Sequence, residues 1–442
     1  MSATPPSTSR LADDLYEKLV NEEDARVCTD ISEEACRETP GNFAKLLGSY
    51  FFTKLGDEVA SPKTVLAWVT NAVGAPAWVL GLLVPIRESG SLIPQLVIAG
   101  WVRRLPVRKW VWVAGSLVQA LAIGGLGLVA LTLESTAAGW AILGLLVVFS
   151  LARGFCSVSS KDVLGKTVPK TRRGRVTGWS ASAAGLITLG VGAAMLLPGL
   201  QNGDGAGFGW LLAGAGALWI LAALLYATLK EYPGETDGGG NAGVEALKRL
   251  AILRDDAPFR RFVIARALLM CSALSAPYYV ALAQNALGSP AWLLGLFVIA
   301  SGLAGLVSAP VWGRFADRSS RQVMIFAALV TSGVGLAAFA ADRWLEALAT
   351  TAWFLPLAYF ILSVAHNGVR VGRKTYVVDL ASGNRRTDYV AVSNTVIGVL
   401  LLMVGSVGAL APLIGNGGVI GLLALMGLAG AAMSSALPEV QN

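Results

Sequence analysis

Asn71-Ala72-Val73-Gly74-Ala75-Pro76-Ala77-Trp78-Val79-Leu80-Gly81-Leu82 returns, 214 residues on, as Asn285-Ala286-Leu287-Gly288-Ser289-Pro290-Ala291-Trp292-Leu293-Leu294-Gly295-Leu296. Outward from that pair, Gly100 and Arg108 match Gly313 and Arg321 at a spacing of 213. The run Lys161 to Arg173 then meets Lys374 to Arg386 at the same 213. Three blocks held at one spacing, with a single-residue slip, mark an internal duplication: two halves of similar fold in one chain.

The duplicated chain is too apolar for water. Of 442 residues 55% are hydrophobic and 14% charged, with mean hydropathy +0.61. The apolar residues fall in runs of roughly 20, the length a helix needs to cross a bilayer. Twelve spans are expected, near 45–70, 78–102, 109–132, 140–162, 175–198 and 209–229, then near 260–284, 292–314, 322–341, 354–380, 389–413 and 417–436. The fold class is thus all-α integral membrane, twelve transmembrane helices as two six-helix repeats. The expected divisions are a polar leader (1–44), a first bundle (45–229), a linker (230–258) and a second bundle (259–437). Glycine is abundant, at 51 residues, as close helix packing in lipid requires. The four cysteines, Cys28, Cys36, Cys156 and Cys271, form no C-x-x-C pair and read as free thiols.

Lys and Arg set the orientation. Alternate loops carry Arg103, Arg104, Arg108 and Lys109; then Lys166, Lys170, Arg172, Arg173 and Arg175; then the linker with Lys248, Arg249 and Arg254; then Arg314, Arg318 and Arg321; then Arg385 and Arg386. The opposite loops are short and nearly uncharged, Arg343 excepted. The positive-inside rule places the basic loops and both termini in the cytoplasm, in the inner (plasma) membrane. The net charge of +7 is spent on these loops rather than on one patch, so no nucleic-acid partner is expected. The leader carries an apolar stripe, Leu11, Leu15, Leu19 and Val20, beside acidic residues. It reads as a solvated amphipathic segment, or as a lid on the basic loops. It has no n-region and h-region of a cleaved signal peptide.

Gly313-Arg314-Phe315-Ala316-Asp317-Arg318-Ser319-Ser320-Arg321 resembles the loop signature between the second and third helices of each half in the major facilitator superfamily. Val168 to Arg175 is similar to that superfamily's short basic loop after the fourth helix. Val84-Pro85-Ile86-Arg87-Glu88-Ser89-Gly90-Ser91 resembles a bacterial branch of it without an assigned substrate. The resemblance implies a gating loop at Gly313, Asp317, Arg318 and Arg321, with Asp317 latching helices in one state. Two departures stand out: Ser320 replaces the usual glycine, and the first-half copy has Arg104 in place of the carboxylate.

Several charges sit at membrane depth, where each costs about 2.5–3.5 kcal/mol unless it faces protein or water. Lys54, Asp57 and Glu58 fall near the middle of the first span at helical spacings that let Lys54 pair with either acid. Arg87 and Glu88 are neighbours in the second span, about 100° apart, so each needs its own partner. Arg153 is central in the fourth. His366, Arg370 and Arg373 line one face of the tenth, with Lys374 beside them. The first, fourth, seventh and tenth helices line the cavity in the resembled superfamily, which would turn these groups toward one chamber. Arg153 and His366, 213 apart, would face each other across it. The plainer alternative is that pairs such as Lys54–Glu58 or Arg153–Asp57 neutralise each other and fix helix register.

One histidine and scattered cysteines make no zinc spacing, no phosphate loop is present, and no nucleophile stands beside a base. No cofactor and no enzymatic activity are expected. The expectation is a monomeric secondary active transporter that moves a small anionic or zwitterionic solute by alternating access. Coupling to protons would run through Asp57, Glu58 or Glu88, with His366 the lesser candidate. The alternatives are a proton-driven efflux pump for drugs or metabolites, a sensor or assembly factor that no longer carries solute, and an enzyme on a lipid-linked substrate, for which the sequence shows no catalytic cluster. The direction of transport is open.

Overall fold

A computed structural model describes residues 31–197, 205–234, 236, 250–316, 318–380 and 385–440. Among them the chain is helical, with no strand. Lipid offers backbone groups no partners, so long apolar runs satisfy them within helices. Fifteen helices have eight or more residues: α1 Thr39–Val59, α2 Val65–Ala72, α3 Ala77–Leu92, α4 Gln95–Val102, α5 Lys109–Thr132, α6 Ser135–Thr167, α7 Lys170–Ala194, α8 Gly205–Ala227, α9 Ala257–Leu268, α10 Ala276–Leu287, α11 Ala291–Ala316, α12 Ser320–Trp344, α13 Phe354–Asp379, α14 Arg385–Gly405 and α15 Ala411–Ser435.

Among the described residues ten stretches are long and apolar enough to cross a membrane: Ala77–Val102, Lys109–Thr132, Ser135–Thr167, Arg172–Ala194, Gly207–Ala227, Ala257–Leu287, Ala291–Ser308, Ser320–Trp344, Phe354–Val377 and Val392–Ser435. The count departs from twelve at two places. The first expected span is cut between α1 and α2 at Ala60–Thr64, where Pro62 supplies no N–H and its ring blocks a continuous helix. The last two expected spans run together across a 3-10 turn, Ser406–Leu410, and a kink at Gly415, whose φ of +76° suits glycine.

A second interruption lies between α9 and α10, where the four-residue helix Cys271–Leu274 intervenes and Pro277 starts the next helix. Both breaks therefore sit in the first element of their sequence half. Helices α1–α8 pack mainly among themselves, as do α9–α15. In the first group α5 lies against α6 and α8. Their backbones meet so closely that a Cβ on Gly127 would stand 2.7 Å from the Gly209 carbonyl. The outward faces are apolar, with Leu121, Leu413 and Trp210 exposed, as lipid contact demands.

The two groups meet where α7 packs on α11, α3 on α14 and the 406–410 turn, and α2 on α10. The approach is tightest beside the short connections at 73–76 and 288–290. A Cβ on Gly81 would lie 2.6 Å from Gly408 Cα, and one on Gly295 would lie 2.8 Å from the Gly192 carbonyl. Trp68, Tyr278 and Tyr279 are buried there. That end is sealed.

The basic end is pinned differently. Glu231, its side chain fully buried, accepts from the backbone N–H groups of Arg108 (2.9 Å) and Lys109 (2.7 Å) and from Lys166 Nζ (3.0 Å). It thereby caps α5, where the helix dipole favours an anion. Arg108 also pairs with Asp162 at 2.9 Å. In the second half Glu439 accepts from Ser319 Oγ (2.8 Å) and pairs with Arg321 (3.4 Å). Arg108 and Arg321, the duplicated arginines, are thus both held by carboxylates of the protein.

Four expectations change or fall outside this description. Cys36 is disulfide-bonded rather than free, while Cys156 and Cys271 are free and buried; spacing along the chain says nothing about which thiols approach in space. The leader's apolar stripe, most of the linker and Asp317 lie outside the described residues. The described end of the linker forms only a short helix, Ile252–Asp255.

Candidate functional site

The break at Ala60–Thr64 places charged residues on either side of an irregular turn between the two groups of helices. Asp57, in the last turns of α1, accepts from Arg87 Nη2 of α3 at 2.8 Å and from Arg153 Nη1 of α6, both on the same oxygen. The Arg87 guanidinium also lies 4.6 Å from the centre of the Phe149 ring, a cation–π contact in a dry setting. One carboxylate therefore binds three helices together. The pairing expected for Arg153 with Asp57 is present.

The pairing expected for Lys54 is not. Among the described residues Lys54 makes no ion pair with Asp57 or Glu58, because Asp57 turns to the two arginines instead. Glu58 and Glu88 also form no ion pair among the described residues, and both are accessible to solvent although they lie between the two groups of helices. The charges bearing on Glu58 are those of Asp57, Lys63, Arg370 and Lys54; on Glu88, those of Lys63, Arg87, Arg370 and Arg153. Lys63 and Arg370, one from each side, are common to both carboxylates.

Lys63 lies in the break itself, and its ammonium stands 2.9 Å from His366 Nε2 on α13. An ammonium has no lone pair, so Nε2 accepts and the ring proton belongs on Nδ1. There it points to Ser272 Oγ at 3.0 Å, and that hydroxyl donates to the Leu269 carbonyl at 3.0 Å. The chain Lys63–His366–Ser272 thus ties the first break to the second. Arg153 and His366 do not pair with each other: Arg153 holds the first broken element before its interruption, at Asp57, and His366 holds it within the break, at Lys63. Two further hydrogen bonds cross between the groups, Ser89 Oγ to the Gly398 carbonyl (2.7 Å) and Gln284 Nε2 to the Trp68 carbonyl (3.3 Å).

Arg370 and Lys374 are exposed one turn apart on α13, and Arg373 is half-buried between them. With Ser308, Gly305, Asn367 and Val371, Arg370 and Lys374 line a cavity of about 190 Å³. In the loop 313–321 Arg318 is exposed, Arg321 is held by Glu439, and a Cβ on Gly313 would meet nothing within 4 Å.

The structure brings Lys54, Asp57, Glu58, Arg87, Glu88, Arg153, His366 and Arg370 to one region. Sequence reasoning missed Lys63, Ser272, Ser308 and Asn367. Pro62 was the signal for Lys63, since it breaks the helix where a half-buried lysine can turn to a partner. Nothing in the sequence singled out the three neutral residues. Two carboxylates and several cations without fixed partners form a set that can exchange pairings when a proton or charged solute arrives.

A sequence profile of the Major Facilitator Superfamily matches residues 46–412. No curated protein matches the chain. Among solved structures, the xylose transporter XylE from E. coli in an inward-open conformation is similar at TM-score 0.66 and 14% identity, over 90% of this chain and 97% of that one. A POT family transporter in complex with a thioalcohol-conjugated peptide is similar at 0.66 and 11%, over 91% and 97%. The nucleoside transporter NupG is similar at 0.62 and 12%, over 90% and 99%. At these identities the likeness is one of fold. The profile match spans most of the chain, and the protein belongs to the Major Facilitator Superfamily of transporters.

Proposed function

We propose that this secondary transporter moves a small anionic or zwitterionic solute by rocking two six-helix halves about the charged chamber, with a proton as the coupled ion. The halves correspond to residues 45–229 and 259–437, joined by 230–258. The broken first element counts as a span, and 392–435 counts as two, which restores twelve. Both termini then lie on the basic, cytoplasmic side of the plasma membrane, and one chain suffices for the path.

The observation that carries the reading is the contrast between fixed and free charges. Asp57 is committed to two arginines, whereas Glu58 and Glu88 stand solvent-accessible and unpaired beside Lys63 and Arg370 of opposite halves. A carboxylate that either takes a proton or pairs with a cation across the seam has two states. Each state favours a different arrangement of the halves. The close approach at Gly81, Gly405 and Gly408 supports reading this arrangement as inward-facing.

The test is uptake into proteoliposomes of organic anions, amino acids, sugars and cationic drugs, with and without a proton gradient. Asp57→Asn and Arg153→Ala are run beside the unaltered protein. Gradient-dependent uptake that both variants lose supports the reading. Full coupled flux in both variants would contradict the site.

A further inference from the structure

We infer that the solute is a dianion, and that Arg370, Lys374 and Asn367 of α13 with Ser308 of α11 hold one of its anionic groups. The inference rests on the transporter reading and narrows its substrate.

The first ground is the cavity, whose lining comes from two helices of one half. Asn367, Arg370, Val371 and Lys374 follow one stripe of α13 at steps of three and four, so their side chains share a face. Asn367 Nδ2 donates to Ser308 Oγ at 3.3 Å, and the Ser308 hydroxyl donates to the Ala304 carbonyl. The second amide hydrogen of Asn367 remains for a ligand. A Cβ on Gly305 would meet nothing within 4 Å, so the wall at that point is open space.

The second ground is charge. Arg370 and Lys374 are like charges one turn apart, an arrangement that weakens a helix unless something anionic lies between them. The groups acting most strongly on Lys374 are Arg370, Arg373, Lys54 and Lys161, all cations. Behind them Arg266 is buried on α9. Among the described residues its guanidinium is held by neutral partners, Ser393 Oγ (2.5 Å) and Asn394 Oδ1 (2.9 Å), with Nε unbonded and Arg373 nearby. Among the described residues none of Arg266, Arg370, Arg373 and Lys374 forms an ion pair. With Lys54 and Lys63 they set six cations against two free carboxylates, Glu58 and Glu88. A single negative charge leaves most of that surplus, whereas a dianion can place one group in the α13 pocket and the other near Lys54 of the opposite half. Such a solute touches both halves.

Dicarboxylates and phosphate monoesters share this chemistry, and the experiment separates them. The full-length protein in detergent micelles is titrated, at matched ionic strength, with succinate, glycerol 3-phosphate, acetate, glycine and xylose, and thermal unfolding is followed. One or both dianions should stabilise the protein, at least tenfold more tightly than acetate, while glycine and xylose should have no effect. Arg370→Gln and Lys374→Gln should each weaken dianion binding roughly 10- to 100-fold, as loss of a charge-assisted hydrogen bond does. Gly305→Ala, whose Cβ meets nothing within 4 Å, narrows the cavity and should weaken dianion binding while the ligand-free unfolding temperature stays unchanged. Equal binding of acetate, stabilisation by xylose or glycine, unaltered dianion binding in all three variants, or no response to either dianion would each overturn the inference. A dianion that binds but is never carried would instead sink the transporter reading. A carried neutral or cationic solute would leave that reading standing and end this one.

Discussion

Gly81→Ala tests the seal with a single carbon. The new Cβ would lie 2.6 Å from Gly408 Cα, 2.8 Å from Tyr278 Oη and 2.9 Å from the Gly405 carbonyl. Carbon atoms rest at about 3.5–4.0 Å, so α3 and the 405–410 segment must separate by roughly 1 Å. Two of the three obstacles are backbone, and no rotamer change relieves them. Overpacking of this kind costs about 1–3 kcal/mol, here charged only to the sealed arrangement. At equilibrium that shifts the sealed-to-open ratio by roughly 5- to 150-fold. The reporter is a cysteine at position 284, where Gln284 now donates across the seam to the Trp68 carbonyl, in a background with the four native cysteines replaced by alanine. Labelling with a membrane-impermeant maleimide from the short-loop side should accelerate by that factor. Gly124→Ala, whose Cβ meets nothing within 4 Å, should leave the rate unchanged. Equal labelling of the parent, Gly81→Ala and Gly124→Ala would refute the claim that these glycines close the chamber.

Asp57→Asn leaves Arg87 and Arg153 facing one another without a counter-charge. It should cost about 3–5 kcal/mol, seen as faster thermal inactivation, and Arg153→Gln added to it should restore part of the loss; an unchanged inactivation rate speaks against the triad. Lys63→Met and His366→Phe each remove the hydrogen bond that joins the two helix breaks. Their effects on maleimide labelling should be non-additive, with a coupling of about 0.5–1.5 kcal/mol, and strict additivity would show that the residues act apart. Glu231→Gln keeps the shape but loses the charge that caps α5 and holds Lys166. It should lower stability by about 1.5–3 kcal/mol, measured by thermal unfolding, and stability equal to the parent's would mean the buried carboxylate is dispensable.

The duplication at 71–82 and 285–296, the basic loops and the charges at depth were all legible, because they are properties of spacing and composition. The site's connectivity was not. Helical periodicity offered Lys54 to Asp57, but two arginines from other helices compete for that carboxylate, and which helices approach is a matter of tertiary packing. A continuous first helix was expected through Pro62; the break there turned Lys63, unremarkable in sequence, into the bridge to His366. Ser308 and Asn367 matter only because α11 and α13 leave a void between them. Glu231 shows the same limit: its importance comes from chain folding back onto the start of α5.

The account's central claim is that two halves move about the shared chamber, and distances between paired spin labels read that motion. One pair, at positions 72 and 285, spans the sealed end; the other, at 177 and 314, spans the basic end, and all four positions are exposed. Adding the transported solute should lengthen the first distance and shorten the second. Two distances that stay fixed, or that change in the same direction, would contradict it.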